Sequence, residues 1–283
     1  MTASHVAEAR TERPHQGVAK VSPGRKAGRI LRSAWRMWFF VTVLLLWWFL
    51  SEGSTSTFFP PLRAIVRALY EEWIVGDALS TLKPSLLHFA VGYAISTVAG
   101  VTIGVILWKL PRTVTAISPL LYFVYVIPAA AILPAVTAIM GYGMSMKVTI
   151  IILAAIWPTL LNTLDGMRGI DPIKLDTAKV LHMSRLHTVR SVVVPNAMPQ
   201  IMAGLRHSLQ VAVIMMVVSE LIASTSGIGF YILDAQQRFA ITEMWTGVIV
   251  LALMGSALTI LFVAVERVVL GWYLAARVVE RKG

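Results

Sequence analysis

Apolar stretches free of Asp, Glu, Lys and Arg recur along the chain, at residues 37–51, 84–108, 113–146, 148–164, 207–219 and 244–265. A helix that crosses the hydrocarbon core of a bilayer needs about 20 mostly apolar residues. The pattern therefore predicts an all-α, polytopic membrane protein with about six transmembrane helices. The first stretch is short and follows Arg25, Lys26, Arg29, Arg32 and Arg36, as the core of a signal peptide would. No small-residue cleavage site follows, because the chain continues Leu50-Ser51-Glu52-Gly53, so the stretch is expected to be a retained first helix. Residues 1–33 are read as a basic, disordered cytoplasmic tail, 34–273 as the membrane domain and 274–283 as a second cytoplasmic tail.

Within the third stretch, Pro119, Pro128 and Pro134 interrupt a run longer than one span. Proline removes a backbone donor and clashes with the preceding turn, so the run is expected to be a broken or a kinked helix. Gly100 and Gly104 are spaced for close helix contact. Residues 61–75 alternate polar and apolar positions at helical spacing and predict a helix along the outer interface, with Trp73 as its anchor. No internal repeat is visible.

Composition narrows the picture. Of 283 residues, 57% are apolar and 14% charged, with a mean hydropathy of +0.73, against a charged fraction of about 25% in soluble domains. The absence of cysteine excludes disulfides, thiolate metal sites and cysteine nucleophiles. A net charge of +11 could point to nucleic acid, but its placement gives a different reason. With both termini inside and six spans, 20 of the 25 Lys and Arg fall in the inside segments 1–36, 109–112, 165–207 and 266–283, while acids divide 7 and 7. Positive charge alone is biased, which reports orientation and contact with anionic lipid, and no nucleic-acid partner is needed.

The longest charged stretch after the tail lies between the fourth and fifth spans, over residues 168–207. Asp171-Pro172 is a helix start, a capping carboxylate followed by proline at the first helical position. Leu175, Ala178 and Leu181 then fall on one apolar stripe, with Lys174, Asp176 and Lys179 elsewhere around the helix. His182-Met183 breaks the pattern, Ser184 can cap a second short helix through about Val193, and Pro195 and Pro199 are expected to end it. Such a hairpin offers an apolar stripe either to a soluble partner's groove or to the lipid surface.

The sequence Asp176-Thr177-Ala178, Lys179-Val180-Leu181, His182 and later Val194-Pro195 resembles the coupling loop of ATP-binding-cassette (ABC) importer permeases. That loop reads Glu-Ala-Ala, three residues, Gly and, further on, an apolar residue with Pro. Here His182 replaces the glycine and Thr177 an alanine, so a histidine would have to take up a left-handed turn. LNTLDGMRGIDP before the loop, GLRHSLQVAV after it and SELIASTSGIGFYILDAQ beyond are similar to the nitrate, sulfonate and taurine branch, over about residues 58–272. The resemblance implies the type I importer permease fold and a homodimer of permeases. It also implies two cytoplasmic ATPase subunits gripping the loops, and an extracytoplasmic solute-binding protein. Asp176 would meet the ATPase, and Leu175, Ala178 and Leu181 would fill its groove, with Lys179, His182 and Pro195 in the same coupling motif. No phosphate-binding Gly-x-x-x-x-Gly-Lys-Ser/Thr loop occurs, so no cofactor is expected on this chain; ATP and Mg2+ would bind the partner, and the chain is not expected to be an enzyme.

Inside the spans, Glu220 is a costly acid in an apolar run and is read as a pathway or gate residue. Asn162, Gln210 and His88 could hydrogen-bond a passing solute or join helices. Gly227-Ile228-Gly229 permits unusual backbone angles, suited either to a re-entrant gate or to a plain turn. His182, His187 and His207 match no metal motif. The alternative to an importer permease is a stand-alone secondary transporter or channel, which usually carries more spans or an inverted repeat. An intramembrane enzyme would need a partner for Glu220 at motif spacing, and none is evident.

Overall fold

The computed structural model describes residues 38–39, 41–54 and 56–273, so both expected tails lie outside the described residues. The chain divides into two compact units, Met1–Gly53 and Ser54–Gly283. The first contains α1 (Val41–Ser51), apolar but shorter than a span.

The second unit is helical throughout its described elements. α2 (Leu62–Leu69) passes through a wide π turn, Tyr70–Val75, and a 3-10 turn, Ala78–Thr81, into α3 (Leu82–Trp108). There follow α4 (Pro111–Val126), α5 (Ala129–Met140), α6 (Met144–Arg168), α7 (Pro172–Val180), α8 (Arg185–Thr188), α9 (Val194–Ile222), α10 (Ile228–Gln237) and α11 (Ile241–Val269). Among the described residues, four helical runs are long and apolar enough to cross a bilayer, or five if α4 and α5 count as one span. About six spans were expected; the difference lies in α1 and in the broken pair.

α6 is the central helix, with α3 and α9 packed along it. The reason is a small-residue stripe on α3, where Ser85, Gly92, Ser96, Gly100 and Gly104 are all buried. A Cβ on Gly100 or on Gly104 would lie 2.8 Å from the Cβ of Thr159 or Thr163 on α6, so these helices touch backbone to side chain. On the other side of α6, the Ser208 hydroxyl donates to the Ala155 carbonyl across 2.6 Å. Ile150, Ile151 and Ala155 of α6 and Ala212 and Met216 of α9 form the dry centre.

Three local expectations meet their geometry here. The proline-rich run is broken: α4 and α5 are bent by 85°. Ile127 is extended at φ −63° and ψ 122° because the following Pro128 disfavours helical backbone before it. Residues 61–75 do form a helix, but Trp73 is buried and no interfacial anchor. Its indole N–H donates to Thr246 Oγ1 of α11 at 3.0 Å and its ring meets Tyr231 edge-on at 5.2 Å. The polar tip has found a partner inside, so nothing draws it to the interface. Pro195 and Pro199 do not end the second short helix either. A π turn, Val189–Val193, carries α8 directly into α9, and Pro195 sits in the first turn of α9, where a missing amide is tolerated.

Candidate functional site

α6 and α9 run antiparallel, which sends residues 169–193 to one end of the bundle and the turns around 141–143 and 223–227 to the other. Each end carries a constructed feature.

At the first end, Asp171 Oδ1 accepts the Ile173 amide at 2.9 Å and Pro172 occupies the first helical position, as the sequence predicts. α7 stops at His182, whose φ is +51°. The His182 amide donates to Lys179 O at 2.9 Å and the Met183 amide to Ala178 O at 3.0 Å. This is the paired closure normally made with glycine in the left-handed position. Ser184 Oγ accepts the His187 amide at 3.3 Å and caps α8. Lys174 Nζ donates to Asn196 Oδ1 at 2.5 Å and ties α7 to the first turn of α9.

Two residues of the apolar stripe, Leu175 and Ala178, face inward, however, while Leu181 is exposed. Ala178 is 2% exposed and Leu175 is half-buried, packed on the cluster of Met167, Ile170, Val193 and Ala197. Helical periodicity names the residues of one face without saying which way that face turns, and here it covers the hairpin's own floor. Leu175 and Ala178 are thus covered, in part or wholly, by the hairpin's own floor. The apolar residues turned outward are Ile173, Val180, Leu181 and Leu186, 66–76% exposed. Asp176 and Lys179 are also exposed, and pair with each other at 2.8 Å. An exposed pair of this kind contributes little and exchanges readily for another partner.

At the second end, Glu220 is fully buried. Its Oε2 accepts from Ser85 Oγ at 2.8 Å and from the Gly229 amide at 3.0 Å, and its Oε1 lies 3.3 Å from His88 Nδ1. Ser85 Oγ in turn accepts the Ile228 amide at 2.9 Å. The carboxylate and Ser85 thus satisfy the first two amides of α10 from neighbouring helices, Gly229 and Ile228 respectively, where the helix dipole also favours negative charge. Gly227, at φ +104°, closes over it so tightly that a Cβ would stand 2.4 Å from the carboxylate atoms. Sequence reading singled out Glu220, His88, Gly227 and Gly229 separately. Ser85 gave no signal, being one more small residue 135 positions away.

Asn162 and Gln210 do not join this cluster. The Asn162 amide donates to Pro158 O at 2.8 Å and accepts from Gln200 at 2.9 Å, joining α6 to α9. Gly204 faces Asn162, and Glu220 lies farther along α9 by about 24 Å at 1.5 Å per residue. Gln210 is exposed on α9. Among the described residues no three His, Asp or Glu come together as metal ligands.

Comparison with known proteins gives this architecture a family. Residues 96–271 match the binding-protein-dependent transport system inner membrane component. The putative aliphatic sulfonates transport permease protein SsuC of Bacillus subtilis (strain 168) is 30% identical over 218 residues, covering 77% of this chain and 79% of that one. The taurine transport system permease protein TauC of Escherichia coli (strain K12) is 25% identical over 82% of this chain and 86% of its own. The nitrate import permease protein NrtB of Leptolyngbya laminosa is 29% identical over 64% of each. In fold, the chain is similar to one chain of the inward-facing MetNI methionine ABC transporter. The TM-score is 0.55 at 18% identity, over 66% of this chain and 93% of that one. With the family matched over most of the membrane unit, the chain belongs to the inner-membrane components of binding-protein-dependent transport systems and is the permease subunit of an ABC importer.

Proposed function

We propose that two copies of this chain form the transmembrane pathway for a small anion of the sulfonate, taurine or nitrate kind. In this reading residues 168–207 are cytoplasmic and each hairpin docks a separate ATPase, which alone binds ATP and Mg2+. An extracytoplasmic binding protein delivers the solute to the opposite end, and both termini lie in the cytoplasm. The charge bias of the sequence supports the orientation, and the transported solutes in the names of the relatives support the class of solute. Exposed apolar residues along α11, among them Leu253, Ile260 and Leu261, suit lipid or the second copy. Glu220, with Gly227 and Gly229, is read as the fixed point of a gate at the binding-protein end.

The observation that carries the docking claim is the hairpin itself. Its floor is packed and its termini capped, and it still turns Ile173, Val180, Leu181 and Leu186 to solvent beside an exposed carboxylate, Asp176. Burying one such side chain in a partner is worth about 1.5–3 kcal/mol. Leu181→Asp and Asp176→Lys should each reduce co-purification of the ATPase by about tenfold or more while membrane insertion is unchanged. Normal co-purification with both variants would contradict the docking surface.

A further inference from the structure

Where α6 begins and α9 ends, a cavity of about 370 Å3 is lined by Tyr142, Gly143, Lys147, Ile222, Ser224 and Thr225, among others. Pockets that hold small molecules run from about 300 to 1,000 Å3. Lys147 is 4% exposed, and it is the one buried lysine or arginine among the described residues. Its ammonium donates to Ser224 Oγ at 2.5 Å, and no carboxylate of the described residues lies within ion-pair range of it. The nearby buried acid, Glu220, acts on Lys147 through its charge only from beyond ion-pair distance, its oxygens being engaged by Ser85, Gly229 and His88.

A buried ammonium carries three donors and is costly unless paired. Here one donor meets a neutral hydroxyl. The position adds to the cost, since Lys147 lies in the first turn of α6, at the positive end of a 25-residue helix, where a cation is disfavoured. Lysine and helix end together put positive potential into the cavity. Ser224 and Thr225 bring hydroxyl groups to its wall, and Ile222 apolar surface.

We propose that this cavity is an anion-binding station, in which the Lys147 ammonium and the α6 N-terminus hold a small sulfonate or similar oxyanion. This rests on the anion-importer reading above and deepens it: the station lies at the end of the bundle opposite the hairpin, where the binding protein would release its cargo. Lys147 sets the charge selected, and Ser224 fixes the ammonium between visits of the solute.

The test uses the full chain with its ATPase in nanodiscs of zwitterionic lipid, titrated calorimetrically with ethanesulfonate and with nitrate, choline being the cationic control. At least one anion should bind and choline should not. Lys147→Gln should weaken anion binding by about tenfold or more, the effect of removing a hydrogen bond to a charged group. Lys147→Arg should stay within about threefold. In the unaltered complex, ethanesulfonate should slow acylation of Lys147 by an amine reagent, read by mass spectrometry, a measurement that does not depend on a variant assembling. Equal binding by Lys147→Gln, or acylation indifferent to both anions, would overturn the station. So would loss of binding on adding phosphatidylglycerol, which would mark a lipid-headgroup site. Cellular uptake separates the two levels of inference. Anion uptake unchanged in Lys147→Gln sinks the station and leaves the importer standing, whereas no anion uptake by the unaltered system sinks the anion reading itself.

Discussion

Glu220 shows how a single ionisable group can be tolerated in an apolar helix. Its carboxylate is the cap of α10, reached from α9 and held by Ser85 of α3. Truncating it leaves the Gly229 amide and the Ser85 hydroxyl without their acceptor, at about 1–3 kcal/mol each. Glu220→Gln keeps an acceptor for both, so Glu220→Ala should lower the melting temperature of the purified complex clearly more than Glu220→Gln. Gly227→Ala should match the alanine truncation, because a Cβ would collide with the carboxylate at 2.4 Å on a backbone already at φ +104°. Equal melting of Gly227→Ala and the unaltered protein would contradict this reading. The acid was legible in the sequence because charge in an apolar run stands out. Its partners were not, because nothing local marks Ser85 or the two amides of residues 228 and 229. His182 is the converse case: similarity to the coupling-loop pattern pointed to a left-handed turn at that position, and the backbone adopts one at φ +51°.

Among the elements, α3 and α6 depend on close approach. Gly100 and Gly104 were visible as a spaced pair, but the stripe they belong to extends to Ser96, Gly92 and Ser85 and lies along the core of the bundle. A Cβ at Gly100 already meets Thr159 Cβ at 2.8 Å and the Ile156 carbonyl at 3.0 Å, neither of which can swing away. Gly100→Leu should therefore force α3 from α6, and overpacking of this kind costs about 1–3 kcal/mol or more. The expected outcome is loss of monodisperse complex in size-exclusion chromatography, with Gly53→Leu, whose surroundings are open, as the tolerated control. A well-folded Gly100→Leu protein would mean that the helices are not held at this distance. Caps and the proline break were readable in advance since each is set by neighbouring residues. The inward turn of Leu175 and Ala178, the burial of Trp73 and the continuity of α9 through Pro195 depend on what packs from elsewhere in the chain, which periodicity does not encode.

For the whole molecule, hydropathy located the spans and composition spoke against a soluble fold, while the number of crossings stayed soft because α1 is short and α4 with α5 makes one bent run. The two ends of the bundle differ in kind. One presents capped helices with outward apolar residues, suited to a protein partner; the other encloses Glu220 and, beside it, the cavity of Lys147. The coupling proposed here needs this division, with energy entering at one end and solute at the other.

The absence of cysteine makes this polarity directly measurable. Leu186→Cys places a single thiol on the exposed tip of the hairpin. A membrane-impermeant maleimide should leave it unlabelled in intact cells, label it in inside-out membrane vesicles, and label it several times more slowly once the partner ATPase is bound. Labelling in intact cells, or a rate in vesicles that the ATPase does not change, would contradict the claim that this hairpin is the cytoplasmic docking site of an ATP-driven importer.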